Sequence, residues 1–209
     1  MKALLLIDLQ IDFLPGGALG VDEGDQIIPI ANQLMPHFPL VVATQDWHPA
    51  DHVSFAANHP WRYPGQLIEL EDGTPQVLWP IHCVQHSFGA ELAPNLQREG
   101  IHKIIYKGTD KNIDSYSGFY DNQHRKATGM LDYLQAQGVE EVFVMGLATD
   151  YCVKASAIDA VGSGLRCHLI ADGCRAVNLQ EGDAQKAIEE MKAAGVQLTH
   201  SHSLLPTSA

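Results

Sequence analysis

Cys152, Asp8 and Lys107 lie far apart in the chain, yet together they carry the side chains needed for attack on a carbonyl. Cys152 follows the apolar run 142–145 and the segment Gly146-Leu147-Ala148-Thr149-Asp150-Tyr151, and it opens a helical pattern. A thiol there meets the positive end of the backbone dipole and free N–H groups, which lower its pKa and can also stabilise an oxyanion. Asp8 closes the apolar run 3–7, and Lys107 closes the run 103–106. Each residue also has a plainer reading: Cys152 as a small buried side chain, Asp8 as a turn opener, Lys107 as a side chain reaching solvent. If the runs are parallel strands, however, all three residues project from one edge of a sheet and deliver a nucleophile, an acid/base and a cation to one crevice. The other cysteines suit this chemistry less. Cys167 lies within a strand-like run, Cys174 follows a turn with no obvious base, and Cys83 only adjoins His82 in sequence.

A second constellation suits a metal. Asp46 and His48 are two apart, so an extended segment puts both on one side, with His52 and His82 further on. Two or three histidines with one carboxylate suit a borderline divalent ion such as zinc, manganese or iron. The plainer reading is a set of turn or surface histidines in a chain that has 11 of them.

Six short apolar runs, at 3–7, 40–44, 103–106, 142–145, 167–171 and 196–199, have the continuous character of strands buried on both faces. Apolar residues recur at helical spacing over 25–35, 129–137, 152–161 and 184–194, and Gly195 is placed as a C-cap. This alternation predicts an α/β, three-layer, doubly wound fold with a mostly parallel six-stranded sheet. Residues 46–100 break the rhythm. They read as a metal-binding insertion after the second strand, within a single domain spanning 1–209.

Composition sets outer bounds. A net charge of −12 with 13 basic residues argues against a nucleic-acid partner, because no basic face can be assembled. No apolar run approaches the roughly 20 residues of a membrane span. Four cysteines are too sparse for a disulfide scaffold, which points to a reducing, cytoplasmic setting.

Five segments then stand out in order: DLQIDF at 8–13, QDWHP at 45–49, WPIHC at 79–83, YKG at 106–108 and GLATDYC at 146–152. With them the chain resembles the nicotinamidase/pyrazinamidase family of isochorismatase-like cysteine hydrolases. The resemblance implies a triad of Cys152, Asp8 and Lys107 and metal ligands Asp46, His48 and His82. His52 falls at a fourth position that some members use and others leave to water. It implies an oxyanion hole from the N–H groups of Ala148 and Cys152, a cis peptide between Leu147 and Ala148, and a ring pocket lined by Phe13, Trp79 and Tyr116. The implied activity is hydrolysis of nicotinamide, and also pyrazinamide, through a cysteine thioester in NAD salvage. The implied cofactor is one divalent ion, zinc first, with iron or manganese as alternatives. The partner is a small molecule, and a homo-oligomer is left open. Ile11 departs from the family pattern, which has Asn there, and this puts one hydrogen bond beside the triad in doubt. A metal-free isochorismatase-like hydrolase, another small-amide hydrolase, and a non-catalytic metal-binding or thiol-sensing α/β domain are the competing readings.

Overall fold

The computed structural model of the chain describes residues 1–206. Its strands are β1 (Lys2–Ile7), β2 (Val41–Asp46), β3 (Leu67–Glu69), β4 (Pro75–Val77), β5 (Lys103–Lys107), β6 (Glu141–Leu147), β7 (Arg166–Arg175) and β8 (Gln197–Thr199). Its helices are α1 (Ile27–Leu34), α2 (Met130–Ala136), α3 (Lys154–Gly162) and α4 (Asp183–Ala193).

Six strands form one all-parallel sheet in the order β5-β2-β1-β6-β7-β8. The chain steps outward one way from β1 through β2 to β5, then returns and steps the other way from β6 to β8. The reversal falls between β1 and β6, and the crevice at the carboxyl ends of those strands is where open α/β sheets bind ligands. Crossovers of one hand running in opposite directions place α1 on one face and the mutually packed α3 and α4 on the other. No helix among the described residues is long and apolar enough to cross a membrane.

The continuous apolar runs have their physical explanation here. Ala3 to Ile7 and Val41 to Asp46 are buried at every position, because helices or loops cover both faces of the central strands. α1 buries Ile27, Ile28, Ala31 and Leu34 as one stripe. Each fully buried Leu or Ile contributes roughly 1.5–3 kcal/mol relative to exposure.

Two elements differ from the sequence pattern. The helix expected from residue 152 begins at Lys154, and Thr149–Val153 forms a π-helical turn before it. β7 runs on to Arg175, beyond the apolar run 167–171, because its pairing with β6 is interrupted by an irregularity between Val144 and Gly146 and then resumes. Gly146 itself has φ +136°, and a Cβ there would lie 2.7 Å from the Ile7 nitrogen, so only glycine lets β1 and β6 approach so closely at the reversal point. Residues 46–100 carry the antiparallel β3–β4 ribbon and several short 3-10 turns rather than a featureless loop.

Candidate active site

Asp8 is the first residue past β1 and sits in the left-handed region at φ 50°, which turns its carboxylate out of the strand. Thr44 donates its hydroxyl to Asp8 Oδ1 at 2.6 Å and accepts the Asp8 N–H at 3.1 Å. Lys107 ends β5, where it is paired in register with Asp46 of β2. Its side chain passes over β2, and Nζ comes 2.9 Å from Asp8 Oδ2, 2.9 Å from the Ser115 carbonyl and 3.4 Å from Cys152 Sγ. Nζ also bonds Asp46 Oδ1. Beyond β6 the Leu147–Ala148 peptide is cis, and the π-helical turn brings Cys152 back over the sheet edge. Three strand ends thus meet around one ammonium, which is 1% exposed.

Burial dominates the electrostatics here. It works against the Lys107 charge, but Asp46, Asp8 and Cys152 hold the ammonium protonated well above the ordinary lysine range. Burial also pushes the Asp46 carboxyl up, yet Lys107, His48 and imidazole hydrogen bonds together hold it well below the carboxylate range. Asp8 goes the other way: burial raises it, the Asp46 charge adds to that, and Lys107 and Thr44 offset only part. The Cys152 thiol is raised well above the ordinary value, first by burial and then by the Asp8 and Asp46 charges, with Lys107 opposing. This corrects the sequence reading of a thiol acidified by a helix start. A dry surrounding and two carboxylates favour the neutral thiol at Cys152. Asp8 Oδ2 is fully buried and has the Lys107 ion pair beside it but no well-aligned hydrogen-bond donor. A carboxylate oxygen of Asp8 and Cys152 Sγ lie within 4.8 Å of each other.

Next to this group Asp46, His48 and His82 bring ligand atoms within 4.8 Å of one another, all buried. His48 Nδ1 donates to the Gly108 carbonyl at 2.9 Å, and His82 Nδ1 donates to the Pro80 carbonyl at 2.8 Å. In the neutral imidazoles this leaves both Nε2 lone pairs facing Asp46 Oδ2, at 3.4 and 3.7 Å. Two imidazole nitrogens and a carboxylate oxygen converge on one point, an arrangement that fits a divalent cation. Gly108 is required here. It has φ +64°, and a Cβ would meet His48 Nδ1 at 2.6 Å. His52 is grouped differently, with His48 and Asp114. Its Nδ1 accepts the Ser54 N–H at 3.2 Å and its Nε2 lies 3.3 Å from the Ile113 carbonyl, so both ring nitrogens already have partners. Burial and the neighbouring His48 bring its pKa down to about 4.

A hollow of about 350 Å³, including its open mouth, joins the two groups. The aromatic residues expected there, Phe13, Trp79 and Tyr116, all line it, together with Asp46, His82, Ala148 and Cys152. Trp79 Nε1 donates to the Tyr116 hydroxyl at 3.2 Å, and Phe13 lies 5.5 Å from the His82 ring. Sequence reasoning did not single out Tyr151, Asp114, Leu19 or Val177 as lining residues. Tyr151 packs edge-on against Trp79 at 4.8 Å, and its place beside Cys152 was the one signal available. Ile11 bonds the Glu91 carbonyl through its N–H and lies in a 3-10 turn outside the triad contacts.

Comparison with known proteins gives a consistent result. A family model described as the isochorismatase domain matches residues 2–203. A nicotinamidase of Escherichia coli (strain K12) is 48% identical over 204 residues, covering 94% of this chain and 93% of the relative. The solved structure of an Acinetobacter baumanii nicotinamidase/pyrazinamidase is 45% identical, covers 98% of both chains and superposes with a TM-score of 0.94. A Pyrococcus horikoshii pyrazinamidase, solved in complex with zinc, is 37% identical, covers 95% of this chain and 98% of its own, and has a TM-score of 0.77.

Proposed function

The chain belongs to the isochorismatase domain family, and on that footing we infer that it hydrolyses nicotinamide to nicotinate and ammonia. The observation that supports this best is the meeting of Lys107 with Asp8 and Cys152 at the floor of an aromatic hollow, beside Asp46, His48 and His82.

In this reading Asp8 is the general base. Its raised pKa, and an Oδ2 that has only the Lys107 ion pair beside it, suit a group that must take a proton and later return it. Asp8 removes the Cys152 proton, and the sulfur attacks the carboxamide carbon. The negative charge on the carbonyl oxygen is received by the N–H groups of Ala148 and Cys152. Protonated Asp8 then gives its proton to the departing nitrogen, the C–N bond breaks and ammonia leaves a thioester on Cys152. Water attacks the thioester as Asp8 takes its proton, the C–S bond breaks, and the sulfur recovers a proton from Asp8. Lys107 stays charged throughout and offsets whichever of Asp8 and Cys152 is anionic.

Phe13, Trp79 and Tyr116 hold the ring, and the hollow keeps water from its faces. Asp46, His48 and His82 would hold a divalent ion, with zinc favoured by the zinc in the Pyrococcus relative. When bound, that ion supplies a Lewis acid for the substrate's ring nitrogen. The metal-free alternative leaves the converging lone pairs of His48 and His82 without a purpose. We place the whole chain in one hydrolase domain, with residues 46–100 as its metal-bearing insertion. Pyrazinamide cleavage, a cytoplasmic setting and a role in NAD salvage belong to the same proposal, and the four free thiols support the second of these.

The test is ammonia release from nicotinamide by the purified protein, before and after treatment with a chelator, alongside metal analysis. Turnover that is lost on chelation and restored by zinc, iron or manganese is expected. Failure to release ammonia with metal supplied would overturn the reading.

A further inference from the structure

Asp46 has two tasks at once, as a metal-facing carboxylate and as a partner of Lys107, and something must fix its backbone. On one side β5 does so, through the Asp46–Lys107 register and the Trp47 N–H to Lys107 carbonyl bond at 2.9 Å. On the other side the strand is missing. β1 pairs with β2 through Leu6 and Ala43, after which Asp8 turns away in the left-handed region and the chain leaves the sheet. The backbone N–H and carbonyl of Asp46 that would have faced β1 are met instead by one side chain. Gln10 Oε1 accepts the Asp46 N–H at 2.8 Å, and Gln10 Nε2 donates to the Asp46 carbonyl at 2.9 Å and to the Ala90 carbonyl at 2.8 Å. Gln10 is fully buried. Its carboxamide therefore acts as a one-residue substitute strand that extends the β1–β2 ladder to the residue bearing the ligand.

We propose that Gln10 is a positioning residue for the metal centre, setting the Asp46 carboxylate against His48 and His82 through the Asp46 backbone. The proposal rests on the reading of Asp46, His48 and His82 as ligands. It predicts that Gln10 governs metal affinity although no atom of it faces the ion. Removing such an outer contact typically lowers metal affinity by about 10–100-fold. The neighbouring Gln45 supplies an internal control, since its side-chain Nε2 donates to the same Ala90 carbonyl, at 2.6 Å, rather than to the Asp46 backbone.

The experiment measures the zinc dissociation constant of the full chain by competition with a chromophoric chelator, together with the visible spectrum of the cobalt-loaded protein. Neither readout needs turnover. Gln10→Met, close in shape but without donor or acceptor, should weaken zinc by about 10–100-fold and alter the cobalt spectrum. Gln10→Glu keeps the acceptor for the Asp46 N–H and loses the paired donors, so it should fall in between, and it carries the measurement if the methionine variant does not fold. Gln45→Met should stay within about twofold of the parent, since it loses a buried bond but leaves the ligand's backbone held. Equal zinc affinity in the Gln10 variants and the parent would overturn the proposal, as would an equal loss in Gln10→Met and Gln45→Met, which would mean general loosening around Ala90. Absence of tight zinc binding in the parent itself would instead overturn the metal-site reading.

Discussion

Gly108→Ala puts the proposed metal site under a defined strain. The new Cβ would lie 2.6 Å from His48 Nδ1, whereas ordinary carbon–nitrogen contact is about 3.4 Å, so the imidazole must withdraw by roughly 0.8 Å. Metal–ligand distances tolerate only about 0.2 Å. The same residue's carbonyl holds His48 Nδ1 at 2.9 Å, so withdrawal also loosens the bond that fixes the tautomer. Zinc affinity should therefore fall by at least about tenfold. A second cost is independent of the clash, because φ is +64° and an alanine there costs about 1–2 kcal/mol. That corresponds to about 2–8 °C in Tm for a chain of this size. Gly164→Ala separates the two effects. Gly164 has φ +86° with nothing within 4 Å of the added Cβ, so it should show the Tm loss with unchanged zinc affinity. Chelator competition and thermal melts on both variants read the difference. Gly108→Ala retaining parental zinc affinity would refute the reasoning, since the clash would then be absorbed without moving the ligand.

Cys152→Ala should lower ammonia release by at least about 10⁴-fold while nicotinamide still binds, as read by calorimetry; substantial residual turnover would remove Cys152 from the chemistry. Lys107→Met leaves the Asp8 and Asp46 carboxylates buried without their shared cation and should cost about 3–5 kcal/mol of stability, measured by denaturant unfolding. Nicotinamide riboside, whose ring nitrogen is already alkylated, should be turned over far more slowly than nicotinamide in a coupled ammonia assay, and comparable rates would contradict ring-nitrogen binding at the metal. Burial raises the Asp172 carboxyl, but hydrogen bonds from the Ser201 hydroxyl and N–H outweigh it, and the folded pKa lies below the ordinary 3.8. The stability this adds is present above the unfolded pKa and disappears as pH falls through the folded one, so Asp172→Asn should lower Tm at pH 7 and cost progressively less as the pH is taken below 3.8.

The sequence by itself determined the six strands of the main sheet and where two of them end. Continuous apolar runs can be read because a strand buried on both faces has no polar side to alternate with, and Asp8 and Lys107 mark where two such runs stop. Net charge, too, is legible without coordinates, since it is a sum over residues. The five ordered segments marked Asp46, His48 and His82, which the fold brings together, before any distance was known. What only the tertiary structure decided depends on which groups share a volume. The Cys152 thiol is raised rather than lowered because burial and two carboxylates from other strands surround it, and none of these is local to residues 146–152. His52 is drawn toward Ser54 and Ile113 by contacts that four-residue spacing from His48 does not encode. Tyr151 and Val177 become walls of one hollow only after β6 and β7 are laid side by side. Gln10 reads in sequence as one polar residue among others. Its task exists because the β1–β2 pairing stops at Ala43, three positions short of Asp46, a mismatch that appears only when the sheet is assembled.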